Sequence, residues 1–126
     1  MTPEAVPVLV VDDLPSFRAA AAAVVAATAG FPLAGLATSG EEALSKLAQT
    51  AVELVLMDVH MPGGGGHAVA TEMLARYPRL TVVLLSVDTS PHVRAAAEEQ
   101  NVQFVPKSEF GPDVLESVWA SRTGAA

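Results

Sequence analysis

The chain has 126 residues, enough for one ordinary domain around one hydrophobic core. Its apolar fraction of 51 % argues against disorder, its formal charge of −7 disfavours nucleic-acid binding, and no apolar run reaches the roughly 18–20 residues of a membrane helix. Cysteine is absent, which excludes disulfides and thiolate metal sites, and the first residues lack a basic signal-peptide region, so we expect a cytoplasmic protein that binds no membrane.

Short apolar runs alternate with helical patterns along the chain, and Pro and Gly lie between them. The predicted strands, in chain order, are 6–11, 33–36, 52–57, 80–85 and 102–105. The second of these runs is the weakest and the third and fourth are the strongest. Runs that are apolar on both faces are typical of buried parallel strands.

The first two helices have recognisable ends. One begins after Pro15 and stops by Gly30, and the next begins at a capping box formed by Ser39 and Glu42. Residues at helical spacing are predicted to face the core from all five helices. They are Phe17, Ala21, Val24 and Thr28; Leu44, Leu47 and Ala48; Val69 and Met73; Val93 and Ala97; and Leu115, Val118 and Trp119.

The last three helices also carry boundary signals. The third is expected to end before Pro78. Ser90 and Pro91 are typical of an N-cap followed by the first helical residue, and Asn101 is typical of a left-handed C-terminal cap. The fifth helix is expected to start near Pro112.

Five strand–helix repeats predict right-handed crossovers and one parallel sheet with helices on both faces. We expect a single domain over residues 1–126, with its core at about 6–120 and a frayed tail at 121–126. In such sheets, ligands bind at the carboxyl ends of the strands, near the point where the strand order reverses.

Polar side chains stand where the apolar runs stop. Asp12 and Asp13 follow the first run, Asp58 the third, Ser86 the fourth, and Lys107 lies just beyond the fifth. Crowded carboxylates repel one another, and a hard cation such as Mg²⁺ relieves that repulsion. A lysine and a hydroxyl beside them would neutralise the oxygens of a phosphoryl group that moves onto Asp58.

Each of these residues alone has an ordinary explanation. An Asp after a strand is usually a helix N-cap, a loop Ser is usually structural, and a lone Lys is usually a solvated surface charge. The ordinary explanations do not account for five such residues at successive strand ends. The joint arrangement therefore favours the functional interpretation.

From Val8 to about Trp119, the sequence resembles the receiver domain of two-component response regulators. The motifs that carry the resemblance are VLVVDD (8–13), LVLMDVHMPGGGG (54–66), VVLLS (82–86) and FVPKS (104–108). Residues 14–18 and the pair Lys107-Ser108 are most similar to the subgroup whose receivers precede a helix-turn-helix output domain. The resemblance implies a (βα)5 doubly wound, flavodoxin-like α/β fold with strand order 2-1-3-4-5.

The resemblance also implies a magnesium site and a phosphoacceptor. Asp58 would receive the phosphoryl group. Asp13, Asp58 and the backbone carbonyl of His60 would bind Mg²⁺ directly, and Asp12 would act mainly through a water molecule.

A switch is implied as well. Lys107 would hold the phosphoryl oxygens, Ser86 would turn toward the phosphoryl group, and Phe104 would swing inward to fill the vacated space. The surface of the fourth helix, fifth strand and fifth helix would then change its preference for partners. The implied partners are a sensor histidine kinase or phosphotransfer protein and an output domain or downstream protein; a phosphorylation-dependent homodimer is left open.

Several positions depart from the family pattern. Val87 stands where a small residue is usual, so we expect it to crowd the phosphoryl pocket. Ser108 replaces the usual proline after Lys107, which predicts a trans peptide and a differently shaped loop. The glycines at 63–66 predict a mobile loop. His60, at the pocket rim, is either a solvent-facing histidine or a side chain that tunes the lifetime of the phosphoryl group.

Three alternative functions were weighed. A pseudo-receiver would bind partners without phosphate, although the complete acidic set argues against it. A Mg²⁺-dependent aspartyl phosphohydrolase needs an acid/base two residues past the nucleophile, where this chain has His60, so no turnover is expected beyond slow self-phosphorylation and self-dephosphorylation. The pattern Gly63-x-Gly65-x-x-Ala68 is a loose dinucleotide fingerprint that the rest of the chain does not support.

Overall fold

The computed structural model describes residues 5–61 and 65–122. Its strands are β1 (Val8–Val11), β2 (Leu33–Ala37), β3 (Leu54–Asp58), β4 (Thr81–Ser86) and β5 (Gln103–Pro106). Its helices are α1 (Pro15–Ala27), α2 (Gly40–Gln49), α3 (Gly65–Arg76), α4 (Pro91–Gln100) and α5 (Pro112–Ala120), and a 3-10 turn spans Lys107–Glu109. Within the described residues, no helix is both long enough and apolar enough to cross a membrane.

All strand pairs are parallel, in the order β2-β1-β3-β4-β5, which confirms the predicted doubly wound sheet. The register brings the polar strand ends together. Val11 lies opposite Met57, so the next residues, Asp12 and Asp58, end neighbouring strands. On the other side of β3, Ser86 lies opposite Pro106, directly before Lys107.

The two faces of the sheet carry separate hydrophobic clusters, because alternate residues of each strand point to opposite sides. One cluster, under α2, α3 and α4, includes Leu9, Met57, Met73, Leu84 and Val93. The other, under α1 and α5, includes Val10, Val25, Leu56, Leu115 and Val118. Every residue of β3 is buried, as expected for a central strand.

The helix ends largely follow the sequence signals. The Ser39 hydroxyl oxygen accepts a hydrogen bond from the Glu42 N–H at 3.1 Å. The Glu42 carboxylate accepts from the N–H of Thr38, at 2.6 Å, so the reciprocal bond of the capping box reaches one residue further than predicted. Ser90 is the N-cap residue of α4 without a side-chain capping bond, and Asn101 has φ 59°, as predicted.

Some predicted core positions were wrong. Ala48 is exposed, and Ala43 is the buried small residue of α2. Val25 is fully buried, whereas Val24 is only half-buried, which shows that α1 is rotated slightly from the predicted face. Trp119 is also half-buried; it packs against the second cluster and is stacked by the Arg122 guanidinium, 3.9 Å from its ring centre.

The end of β1 and the start of β2 lie where they were predicted, and the other strand limits differ from the predicted ones by one or two residues. The predictions for Gly63, for Pro62 in the motif 54–66, for part of the glycine loop and for most of the tail at 121–126 lie outside the described residues.

Candidate functional site

Three carboxylates meet at the carboxyl end of the sheet. Oxygens of Asp12, Asp13 and Asp58 all lie within 4.8 Å of one another, the only such group of potential metal ligands in the described parts of the chain. Asp12 is 1 % exposed and Asp58 is also buried, whereas Asp13 is exposed. The cluster combines two desolvated charges with one that faces solvent.

Lys107 brings a positive charge into this cluster. Its Nζ lies 2.7 Å from Oδ2 of Asp12 and 3.6 Å from Oδ1 of Asp58, and its side chain is 7 % exposed. The 3-10 turn that starts at Lys107 follows β5 directly and so fixes the lysine at the sheet edge. The described residues contain no cis peptide bond, which confirms the trans loop expected from Ser108.

Burial raises the pKa of Asp58. The nearby Lys107 ammonium opposes this effect, and the carboxylates of Asp12 and Asp13 add to it. The His60 N–H, which donates weakly to Oδ1 of Asp58 at 3.4 Å, also lowers the pKa. Together these influences leave Asp58 harder to ionise than a free carboxyl, as expected where negative charges outnumber the single lysine.

The contacts of the Asp12 carboxylate also indicate a cation site. Its Oδ1 accepts a hydrogen bond from the Leu14 N–H at 2.8 Å. Its buried Oδ2 has no hydrogen bond of acceptable geometry, although the Lys107 ammonium is close enough for an ion pair. An oxygen-rich cluster with excess negative charge and an under-coordinated buried oxygen fits Mg²⁺.

Gly66 lies beneath the phosphoacceptor strand. A Cβ built on it would overlap the Asp58 carbonyl oxygen and lie 3.0 Å from Cα of Val59. Its N–H donates to the Val59 carbonyl at 2.7 Å. Sequence analysis predicted that Gly66 belongs to a mobile glycine loop, but the structure has it buried in the first turn of α3, where the close approach of this helix to the end of β3 requires a glycine.

Ser86 is fully buried at the end of β4. Its hydroxyl oxygen accepts a hydrogen bond from the Asp88 N–H at 2.9 Å, which leaves the hydroxyl proton available for another acceptor. The following residue, Val87, is 79 % exposed, so it stands at the rim and is not packed into the interior. Its crowding of an incoming phosphoryl group stays a prediction.

His60 is exposed, and its ring makes one contact across the site. Nε2 lies 3.3 Å from Oδ2 of Asp88, so the loops after β3 and β4 are joined at the rim. Ser90, whose N–H donates to Oδ1 of Asp88 at 3.0 Å, lowers the pKa of Asp88 most, and His60 contributes less. Sequence analysis did not anticipate this contact, because the two residues are 28 positions apart.

Phe104 is half-buried on β5 and packs against the first cluster. The Arg94 guanidinium of α4 stacks on its ring, 5.0 Å from the ring centre. Arg94 Nε also donates to the Thr89 carbonyl at 3.3 Å. The predicted switch aromatic therefore lies beneath α4 in this structure, in contact with a side chain that also touches the loop after Ser86.

A doubly wound sheet with this acidic site is typical of phosphoryl-receiving signalling domains. The family model for the response regulator receiver domain matches residues 8–118, which is most of the chain. The protein therefore belongs to the response regulator receiver domain family and is the receiver domain of a two-component response regulator.

Known relatives agree with this assignment. The response regulator GacA of Pseudomonas syringae pv. syringae is 41 % identical over 80 residues, which cover 64 % of this chain and 37 % of GacA. A protein-glutamate methylesterase/protein-glutamine glutaminase of Methanosarcina mazei is 31 % identical over 108 residues, 84 % of this chain and 30 % of that protein. The chain thus spans only about a third of the length of these relatives.

Solved structures show the same fold. The signal receiver domain of NarL from Mycobacterium tuberculosis has a TM-score of 0.84 and 27 % identity, and the match covers 97 % of this chain and 99 % of that one. RcsB of Salmonella typhimurium has a TM-score of 0.85 at 18 % identity, and the match covers 94 % of this chain and 60 % of RcsB.

Proposed function

We propose that this domain accepts a phosphoryl group on Asp58 from a histidine kinase or phosphotransfer protein. A carboxylate oxygen of Asp58 attacks phosphorus, and a new P–O bond forms. The bond from phosphorus to the donor's imidazole nitrogen breaks, its electron pair stays on that nitrogen, and solvent supplies the proton. The observation that carries the proposal is Lys107, whose Nζ lies 2.7 Å from Asp12 and 3.6 Å from Asp58 within the acidic cluster.

We propose Mg²⁺ as the cofactor, held by Asp13, Asp58 and the backbone carbonyl of His60, with Asp12 acting through water. When bound, Mg²⁺ supplies positive charge to the phosphoryl oxygens. Asp12 orients Lys107 by the 2.7 Å ion pair, and Lys107 then faces the oxygens of the group on Asp58. Ser86 donates its free hydroxyl proton to one of them, as its 2.9 Å bond from Asp88 permits.

Movement of Ser86 toward the phosphoryl group would open space for Phe104 to turn inward. We propose that the surface formed by α4, β5 and α5 then changes its affinity for an output domain or a downstream protein. Dephosphorylation is slow self-hydrolysis at this site, at a rate to which the His60–Asp88 contact and Val87 contribute. One receiver domain over residues 1–126 and a cytoplasmic location stay predictions.

The first test is an amide NMR comparison of the wild type and Asp58→Asn, each with Mg²⁺ and beryllofluoride, which mimics the phosphoryl group. We expect large shifts around Ser86, Phe104 and Lys107 in the wild type and none in the variant. Size-exclusion chromatography of the same samples would show whether activation forms a homodimer.

The absence of shifts in a folded wild type that binds Mg²⁺ would contradict phosphorylation. It would favour the pseudo-receiver, a module that binds partners without phosphate. Val87 and Ser108 would then be the first positions to revert to the usual family residues.

A further inference from the structure

The Lys107 ammonium has an aromatic neighbour on the side away from the carboxylates. Its Nζ lies over the Phe17 ring, 4.4 Å from the ring centre. A cation at this distance from an aromatic face is attracted by the negative charge of the π-system. The same ammonium contacts Asp12 at 2.7 Å, so its position is set by an ion pair and a ring together.

The ring is itself fixed by the site. α1 begins at Pro15, and Asp12 is bonded on both sides of this point: the Leu14 N–H donates to its carboxylate at 2.8 Å, and Nη1 of Arg18, in α1, donates to its carbonyl, also at 2.8 Å. Phe17 is half-buried and packs against the second hydrophobic cluster. The position of Phe17 relative to Asp12 is therefore held from both ends of its first helical turn.

A lysine side chain depends more than an arginine side chain on its neighbours to fix its position. Its side chain has four flexible carbons and a compact, strongly hydrated charge. Here that charge is 7 % exposed and faces two carboxylates at unequal distances, the nearer of which is not the phosphoacceptor. An apolar ring face keeps water from the ammonium without competing as a hydrogen-bond acceptor, so the charge stays free to move toward Asp58.

We propose that Phe17 is a positioning residue for phosphoryl transfer, which holds the Lys107 ammonium in place through a cation–π contact. This role rests on the proposed function of Asp58 and goes beyond it. Phe17 acts through Lys107, over which its ring lies. This positioning role requires an electron-rich ring at position 17, and an apolar side chain without a ring does not fulfil it.

The test measures beryllofluoride affinity in saturating Mg²⁺ and the rate of phosphorylation by acetyl phosphate. We expect Phe17→Leu to weaken both by about three- to tenfold, the range of a buried cation–π contact, and Phe17→Tyr to stay within about twofold of the wild type. Phe31→Leu is the matched control, because Phe31 is buried in the same cluster at the start of β2. It should lower the melting temperature and leave both activities unchanged.

A second measurement distinguishes the electrostatic effect of the Phe17 ring from the effect of its size. Site-specific fluorination of Phe17 weakens the negative face in steps and hardly changes the size, so the logarithm of the affinity should fall with each added fluorine. An equal affinity throughout the series, or a Phe17→Leu variant that differs from wild type only in melting temperature, would overturn the proposal.

The two hypotheses fail in different ways. A wild type that binds no beryllofluoride would overturn phosphorylation and this role together. A wild type that binds normally beside an unaffected Phe17→Leu would overturn the role of Phe17 alone. In the unphosphorylated protein, the Lys107 methylene protons should show an upfield ring-current shift that Phe17→Leu removes; its absence in the wild type would also contradict the proposal.

Discussion

Gly66 has no side chain, and this allows α3 to pack closely against the Asp58 end of β3. Helix propensity alone would favour Gly66→Ala by about 1 kcal/mol. The added Cβ, however, would overlap the Asp58 carbonyl oxygen and approach the Asp58 carbonyl carbon to 3.1 Å. Because these are backbone atoms, relief requires a shift of β3 or α3, and overpacking of this kind costs about 1–3 kcal/mol. We expect a net loss of stability in urea denaturation and weaker beryllofluoride binding.

Gly111→Ala is the matched control for that change. Gly111 has an extended backbone with φ −169°, and a Cβ there meets nothing within 4 Å. We expect it to stay within about 1 kcal/mol of the wild type. Equal stability of the Gly66 and Gly111 variants would contradict the close approach of α3 to β3.

Asp58 makes stability depend on pH. Its pKa is raised in the folded state above the ordinary 3.8, chiefly by burial. The protonated form is therefore favoured by folding, and this contribution is full below pH 3.8 and is lost as the pH rises through the folded pKa. Above that range, the buried charge opposes folding.

We therefore expect Asp58→Asn to melt higher than the wild type at pH 7 without metal, by roughly 2–5 °C. The difference in melting temperature between the variant and the wild type should become smaller as the pH is lowered toward 4. Thermal melts in EDTA at several pH values would measure this difference. Glu53→Gln, which removes one exposed negative charge just before β3, should not reproduce the effect. A lower melting temperature for Asp58→Asn would show that its attraction to Lys107 outweighs burial and repulsion.

Sequence alone located the site residues because they sit at strand ends. Asp12, Asp58 and Lys107 come together as the parallel-sheet rule requires. The contacts that orient them were not predictable. The Phe17 ring over Lys107 and the His60–Asp88 pair join residues far apart in the chain, and such contacts depend on side-chain rotamers that no local pattern encodes.

At the scale of elements, the Gln100 side chain links α4 to α3 by hydrogen bonds. Gln100 Nε2 donates to the His67 carbonyl and to the Thr71 hydroxyl, both at 2.6 Å, and its Oε1 lies 2.9 Å from Nδ1 of His67. Gln100→Ala removes these hydrogen bonds from the half-buried His67 and the exposed Thr71, so we expect a loss of about 0.5–1.5 kcal/mol. Amides of α4 should exchange faster with deuterium.

Gln49→Ala tests whether any glutamine at a helix end would behave in the same way. Gln49 makes one exposed 3.4 Å contact with Ser45, so its removal should change stability by less than about 0.5 kcal/mol. An α4 that exchanges at the wild-type rate in Gln100→Ala would contradict the importance of the Gln100 contacts.

Element types and order followed from periodicity, but the exact faces did not. On α2, Ala43 is buried in place of Ala48, because the capping bonds at Ser39 and Glu42 fix the rotation of the helix. Alanine carries little information about burial, since it suits both the core and the surface of a helix. The predicted face was confirmed at Val93 and Leu115, which are both buried.

For the molecule as a whole, the acidic cluster should couple metal binding to folding. A ligand that binds only the folded state stabilises it by about 2.7 kcal/mol at a hundredfold excess over its dissociation constant. We expect Mg²⁺ to raise the melting temperature of the wild type in a saturable manner and Asp58→Asn to lose most of this gain. NaCl at equal ionic strength controls for screening. Equal effects of the two salts would contradict a specific site.

The half-buried Trp119, the only tryptophan of the chain, lies on α5 with Arg122 against its ring. Indole emission changes with solvent and with nearby charge, so the protein carries an intrinsic optical reporter on a helix of the proposed output surface. Rearrangement of α5 on activation would then be visible in an unlabelled sample, in real time and at micromolar concentration. The kinetics of an α5 rearrangement that follows phosphorylation could thus be read from this emission.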